Sequence, residues 1–191
     1  EGSGLLPTYK SNLVYKSFII PFQESGKPIP KVMITCDNRI PIAKGLGSSA
    51  AAVVSGLLAG NELCDRPMNS ARMLEVASNI EGHSDNVAAA IYGGCQIVIQ
   101  NDTELITSSV PINQDLRAVV FVPDKFAVST AEARSVITNT IAREDVVYNI
   151  GRAALLILSL ANGDSQYLTM ATQDRIHQPA RQYQLLHQLT G

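Results

Sequence analysis

Apolar residues at 13, 14, 18 and 19 of "SNLVYKSFIIPF" (11–22) fall at helical spacing, with Ser11 or Asn12 placed to cap. The turn-rich "ESGKPIP" (24–30) predicts a loop, and the alternating, β-branched "KVMITCD" (31–37) predicts a strand. Residues 40–60, "IPIAKGLGSSAAAVVSGLLAG", hold four Gly and three Ser in a run that otherwise reads as a buried helix from 48 to 63. A second helix is predicted over 66–82, capped by Asn69 or Ser70 and stopped by Gly82. "HSDNVAAAIYGG" (83–94) predicts a short helix that halts at Gly93-Gly94. Strands are predicted at 95–100 and 117–123, with Asn101-Asp102 as a turn into "TELITSS". Ser129-Thr130-Ala131-Glu132 has the S-x-x-E form of a capping box and predicts a helix start. The longest predicted helix is 144–163, closed by Gly163, with shorter helical pieces to the end. Strands and helices mixed irregularly predict an α+β fold. The division falls near Pro111–Gln114, giving residues 1–112 and 113–191.

Composition narrows the partners. Hydrophobic residues make up 46% and charged residues 17%, enough apolar material for a core. A net charge of −2, no basic stripe and only 5% aromatics argue against nucleic acid. Cys36, Cys64 and Cys95 are odd in number and lack a C-x-x-C pair, so they read as reduced thiols in a cytoplasmic protein, not as a disulfide frame or zinc site. Apolar runs such as Ala153–Ala161 fall short of the roughly 20 residues that span a bilayer, so no membrane is expected. The opening "EGSGLLPTYKSN" has no signal-peptide core and reads as the interior of a longer sequence.

The candidate chemistry lies in Lys44, Gly45, Leu46, Gly47, Ser48 and Ser49. A helix start leaves backbone N–H groups without partners and carries partial positive charge, and glycines before it let an anion approach closely. Ser48 and Ser49 add hydroxyls suited to a phosphate oxygen or Mg²⁺, and Lys44 adds charge. The same run can instead be a capped helix packed tightly through Ala52, Gly56 and Gly60; the residues alone leave both readings open. It is not the P-loop NTPase form, because Ser48 stands where that motif needs Lys.

Residues 40–51, Ile-Pro-Ile-Ala-Lys-Gly-Leu-Gly-Ser-Ser-Ala-Ala, resemble the phosphate loop of the GHMP kinases, the family of galactokinases, homoserine kinases, mevalonate kinases and phosphomevalonate kinases. "SNLVYKSF" (11–18), "EGHSDNVAAAIYGGCQIVI" (81–99), "STAEARSVI" (129–137) and "QDRIHQPARQ" (173–182) resemble, in order, segments of the homoserine kinase branch. The resemblance implies an N-terminal half like domain 2 of ribosomal protein S5 and a ferredoxin-like C-terminal half, both partial. It implies ATP, Mg²⁺ and L-homoserine as ligands, and it is compatible with a homodimer. By the same resemblance Ser49 and Glu81 hold Mg²⁺, and Asn86 positions the substrate hydroxyl, with Asp85 a second candidate as base. Arg134 and Arg181 clamp the amino acid's carboxylate, as guanidinium forks suit. Asn12 lies near the nucleotide base or caps a helix, while His83 reads as a turn residue bonded to backbone; His177 and Pro179 shape the segment carrying Arg181.

The chain departs from that pattern at both ends. No A-N-L-G-x-G-F-D segment precedes the loop and no G-x-G-P-S/T loop follows, and Ser84 stands where the branch writes Pro. The chain is therefore expected to be a shortened homoserine kinase with unpaired strand edges, binding substrate weakly by itself. Three alternatives stay open: a mevalonate-type kinase, a module that binds nucleotide or metabolite without turnover, and a purely structural domain.

Overall fold

The computed structural model describes residues 6–102, 104–122, 135–138 and 140–182. They fall into two units, the first ending at Ser109 and the second beginning at Val110. The first holds a 3₁₀ turn, Tyr9–Ser11, then α1 (Leu13–Phe18), α2 (Ile20–Glu24), α3 (Ser48–Leu63), α4 (Ser70–Glu81) and α5 (Asp85–Tyr92). A hairpin of β1 (Cys95–Asn101) and β2 (Glu104–Val110) follows and reaches the unit boundary. The second unit holds α6 (Arg143–Asn162) and α7 (Ser165–Ala171), with helical backbone again at 178–182.

The core of the first unit follows from helical periodicity. Ala50, Val53, Val54 and Leu57 repeat at i, i+3, i+4 and i+7 on α3 and are all buried. They pack with Met73, Leu74, Val76 and Ala77 of α4 and Val87 and Ala88 of α5. α1 lies against the other side of α3 through backbone contact. A Cβ on Gly56 would meet the Val14 carbonyl oxygen at 2.3 Å, and one on Gly60 the Phe18 carbonyl oxygen at 2.0 Å. Phe18, Phe22 and Cys64 form a second buried cluster beside this contact. The small-residue stripe therefore does pack the helix.

Caps set the other boundaries. The Asn12 side chain accepts from the Val14 N–H at 2.9 Å, so capping is its observed role. Asn69, one of the two predicted caps, caps α4 by accepting from Arg72 N–H at 2.9 Å, so the helix within 66–82 starts at Ser70. Gly82 ends α4 with φ 74°, a left-handed conformation that costs a glycine little. The single helix read over 11–22 is two: α1 ends at Phe18 and α2 starts at Ile20, with Pro21 in its first turn.

Two predicted strands are absent. Residues 31–37 are exposed and outside any sheet, with Met33 at 92% exposure. Residues 117–122 are likewise outside any sheet, with Phe121 at 90%. Their alternation suits a pleat, but ladder hydrogen bonds need a neighbouring strand, and the only sheet among the described residues is the β1–β2 hairpin. The helix start predicted at Ser129 lies outside the described residues.

Asn61 is a polar residue at the centre of the α3–α4 connection. It is buried; its Nδ2 donates to the Met68 carbonyl at 3.0 Å and its Oδ1 accepts from the Met68 N–H at 2.9 Å. Asn61→Ala strands both backbone groups of Met68, and chemical denaturation should show a loss of about 2 kcal/mol or more. Asn61→Ala with wild-type stability would show that water replaces the side chain there.

Candidate active site

α1 and α4 each have an Asn that caps them with its side chain, whereas α3, like α2 and α5, has no side-chain cap; it begins after Gly47, which has φ 72°. In the loop before it Gly45 (φ 72°) and Ala43 (φ 56°) also take left-handed backbone. The loop stays accessible: Gly45, Leu46 and Ser49 are exposed, while Lys44, Gly47 and Ser48 are half-buried. A helix start without a side-chain cap, entered by a glycine turn, has the form that suits an anion.

Acidic and amide side chains converge on that helix start. Ser49 Oγ donates to Glu81 Oε1 at 2.6 Å across the gap between the start of α3 and the end of α4. The Asn86 side chain lies beside Gly47, where an added Cβ would be 3.9 Å from Asn86 Oδ1. Asn86 N–H donates to Asp85 Oδ1 at 2.8 Å, and the same oxygen meets His83 Nδ1. His83 is thus bonded to a carboxylate, not to backbone as its turn position suggests; its side chain is only 8% exposed, against 66% for Asp85. Asp85 opens α5 as its first residue, and the N-cap Ser84 makes no side-chain capping bond.

The Ser49–Glu81 pair fits Mg²⁺ by donor type. Both are hard oxygen donors at one accessible point, and Mg²⁺ keeps several waters while taking one or two protein oxygens and phosphates. Among the described residues no three His, Cys, Asp or Glu side chains gather into a metal cage.

Of the expected site residues, the structure brings together 45–49, Glu81, Asp85 and Asn86 within the first unit. Arg134 lies outside the described residues. Arg181 is in the second unit, where its N–H donates to the His177 carbonyl at 3.1 Å. There Asp174 organises the chain. It accepts from the N–H groups of Ile176 (3.0 Å), His177 (2.7 Å) and Gln178, and from Asn149 Nδ2. Burial pushes its carboxyl up, but the hydrogen bonds from Asn149 and the three N–H groups outweigh that and hold it at about 2, against 3.8 ordinarily. A depressed carboxylate stabilises the fold above its unfolded value and loses that contribution as pH falls through its folded value. The contribution here is about 2 kcal/mol, lost between about pH 4 and pH 2. Asp174→Asn should flatten the acid limb of a stability-against-pH curve by that amount. An unchanged limb would rule out the bonded carboxylate. Sequence reasoning missed Asn149 and the His83–Asp85 contact; an Asp two to four positions before three helix-forming residues was the available signal for the capping half of the Asp174 network.

Among the described residues no helix is long and apolar enough to cross a membrane. Residues 12–94 match the GHMP kinases N terminal domain. The chain is 40% identical to a homoserine kinase of Crocosphaera subtropica over 91% of its own length and 56% of the relative's. It is 39% identical to one of Trichormus variabilis over 93% of its length and 58% of that protein's. In structure it resembles the homoserine kinase of Cytophaga hutchinsonii with a TM-score of 0.72 at 26% identity, covering 95% of this chain and 59% of that one. The mixed helix-and-strand fold expected from the pattern is thus that of these kinases, and the chain spans roughly three-fifths of the length of the curated relatives it matches.

Proposed function

We propose, from the match of residues 12–94 to the GHMP kinases N terminal domain and the likeness to homoserine kinases, that the chain transfers the γ-phosphoryl group of ATP to the side-chain hydroxyl of L-homoserine. The product is O-phospho-L-homoserine, on the route to threonine, and the reaction belongs to the cytoplasm. One observation carries the reading: Ser49 and Glu81 meet at 2.6 Å beside an uncapped, glycine-entered helix start.

In this reading the backbone of Gly45–Ser49 cradles the phosphates and Lys44 adds positive charge. Ser49 and Glu81 hold Mg²⁺, which when bound supplies charge neutralisation on the phosphate oxygens. Arg134 and Arg181 take the amino acid's carboxylate. Asn86 holds the hydroxyl in line, supported by its place beside Gly47. Asp85, whose Oδ1 meets His83 Nδ1 and accepts from the Asn86 N–H, stays the second candidate as base. Phosphoryl transfer with a loose transition state asks the protein chiefly for position and charge, so the hydroxyl keeps its proton until late.

The test is competition. The full-length protein, given Mg·ATP with L-homoserine or mevalonate, is expected to phosphorylate homoserine. Preference for mevalonate moves it to another branch of the family, and nucleotide binding without turnover of either makes it a binding module.

A further inference from the structure

The first unit holds a cavity of about 340 Å³ that the proposed chemistry does not use. Glu75, Ser78 and Asn79 of α4 form one wall, since residues three and four apart share a helix face. His83, in the turn after α4, lines it too, with Gln100 of β1 and Leu105 of β2. Among the described residues, none of 45–49, Glu81 or Asn86 does. The volume falls in the roughly 300–1,000 Å³ range of small-molecule sites.

The fold leaves the polar groups of this cavity with bonding capacity to spare. Ser78 is only 8% exposed, and its Oγ has no hydrogen-bond partner. A helical serine can bond the carbonyl four residues back, and a buried hydroxyl without a partner carries a desolvation cost. The Asn79 side chain makes no hydrogen bond among the described residues. Gln100 Nε2 donates to the Asp102 carbonyl at 3.1 Å, which leaves its Oε1 as an acceptor. His83 Nδ1 meets the Asp85 carboxylate, so the neutral ring keeps its proton there and offers Nε2 as an acceptor. Glu75 accepts from Arg72 at 2.7 Å, but the same guanidinium also serves both oxygens of Glu24. One guanidinium between two carboxylates leaves one negative charge, and among the described residues no lysine or arginine lines the cavity.

Acceptors beside a surplus negative charge disfavour phosphates and carboxylates and favour a donor-rich cation. The geometry points to a binding site for a small molecule that carries a primary ammonium beside a hydroxyl. The three ammonium donors suit Glu75, Gln100 Oε1 and His83 Nε2. The hydroxyl suits Ser78 Oγ and the Asn79 amide, and Leu105 offers an apolar surface to the carbon chain. Such binding is independent of the homoserine reaction.

Ethanolamine and ethylene glycol, which differ in the ammonium alone, are the probes. The side-chain amide signals of Asn79 and Gln100, in nuclear magnetic resonance spectra of the full-length protein, are the readout. Ethanolamine is expected to shift both signals saturably, with half-saturation at about 1–10 mM, a range suited to so few atoms. Ethylene glycol should bind about tenfold more weakly or worse, lacking the charge-assisted bonds. Glu75→Gln is expected to raise the half-saturation point about fivefold or more. Ser78→Ala should raise it several-fold without lowering the melting temperature, because its hydroxyl bonds nothing in the fold. Asn79→Leu serves as a second variant should Glu75→Gln disturb Arg72, and it should abolish the saturable shift at Gln100. Signals that stay unshifted well above the expected midpoint overturn the site. So does an equal response to the two probes, or a wild-type midpoint in both Glu75→Gln and Asn79→Leu. Turnover of homoserine is read separately and would stand in any of these cases.

Discussion

Glu81→Gln is expected to lower kcat for homoserine phosphorylation by about 10³-fold, the scale of removing one preorganised electrostatic group from a reacting phosphate. The substitution is isosteric, and its amide can still bond Ser49 Oγ, so the 2.6 Å contact has a replacement. What disappears is one negative charge at the seat proposed for a divalent cation. The fold should not notice: Glu81 is the last residue of α4, and the bond that closes the helix, Gly82 N–H to the Ser78 carbonyl, involves backbone only. Thermal unfolding should stay within about 0.5 kcal/mol of wild type, as for surface changes generally. Raised Mg²⁺ should recover part of the rate. Wild-type kcat in Glu81→Gln would reduce the residue to a helix-end carboxylate.

Gly60→Ala should cost the fold about 3 kcal/mol, enough to lower the melting temperature by roughly 10 °C in a chain of this size. Two effects oppose each other. Alanine gains about 1 kcal/mol in a helix interior over glycine. Its Cβ, however, would stand 2.0 Å from the Phe18 carbonyl oxygen and 2.9 Å from the Phe18 carbonyl carbon, both backbone atoms that cannot rotate away. α1 must therefore move off α3, opening the cluster of Phe18, Phe22 and Cys64. A stabilised Gly60→Ala would mean that α1 is not seated where the contacts place it.

Local chemistry made much of this legible in advance. Asn69 and Gly82 bound α4 because a cap and a left-handed stop act within a few residues of themselves. The glycine-led start of α3 was readable for the same reason, and the spacing of Ala52, Gly56 and Gly60 announced a close helix contact, though not with which helix. Glu81 opposite Ser49 came only from family resemblance, because a pair 32 positions apart leaves no trace in periodicity. The strands read at 31–37 and 117–123 show the opposite failure. Alternation reports what a segment would do beside a partner, and it is silent on whether a partner is present. Asn149 with Asp174, and Asn61 with Met68, escaped because a buried amide looks like any polar residue until its backbone partners are placed.

The account turns on whether the first-turn amides of α3 receive the nucleotide's phosphates. Residue-resolved hydrogen exchange on the full-length protein, with and without Mg²⁺ and a non-hydrolysable ATP analogue, reads this directly. The expected result is slowing of the amides of 47–50 by about tenfold or more, with Asn86 following. Unchanged exchange at 47–50 while the analogue protects other segments would contradict it.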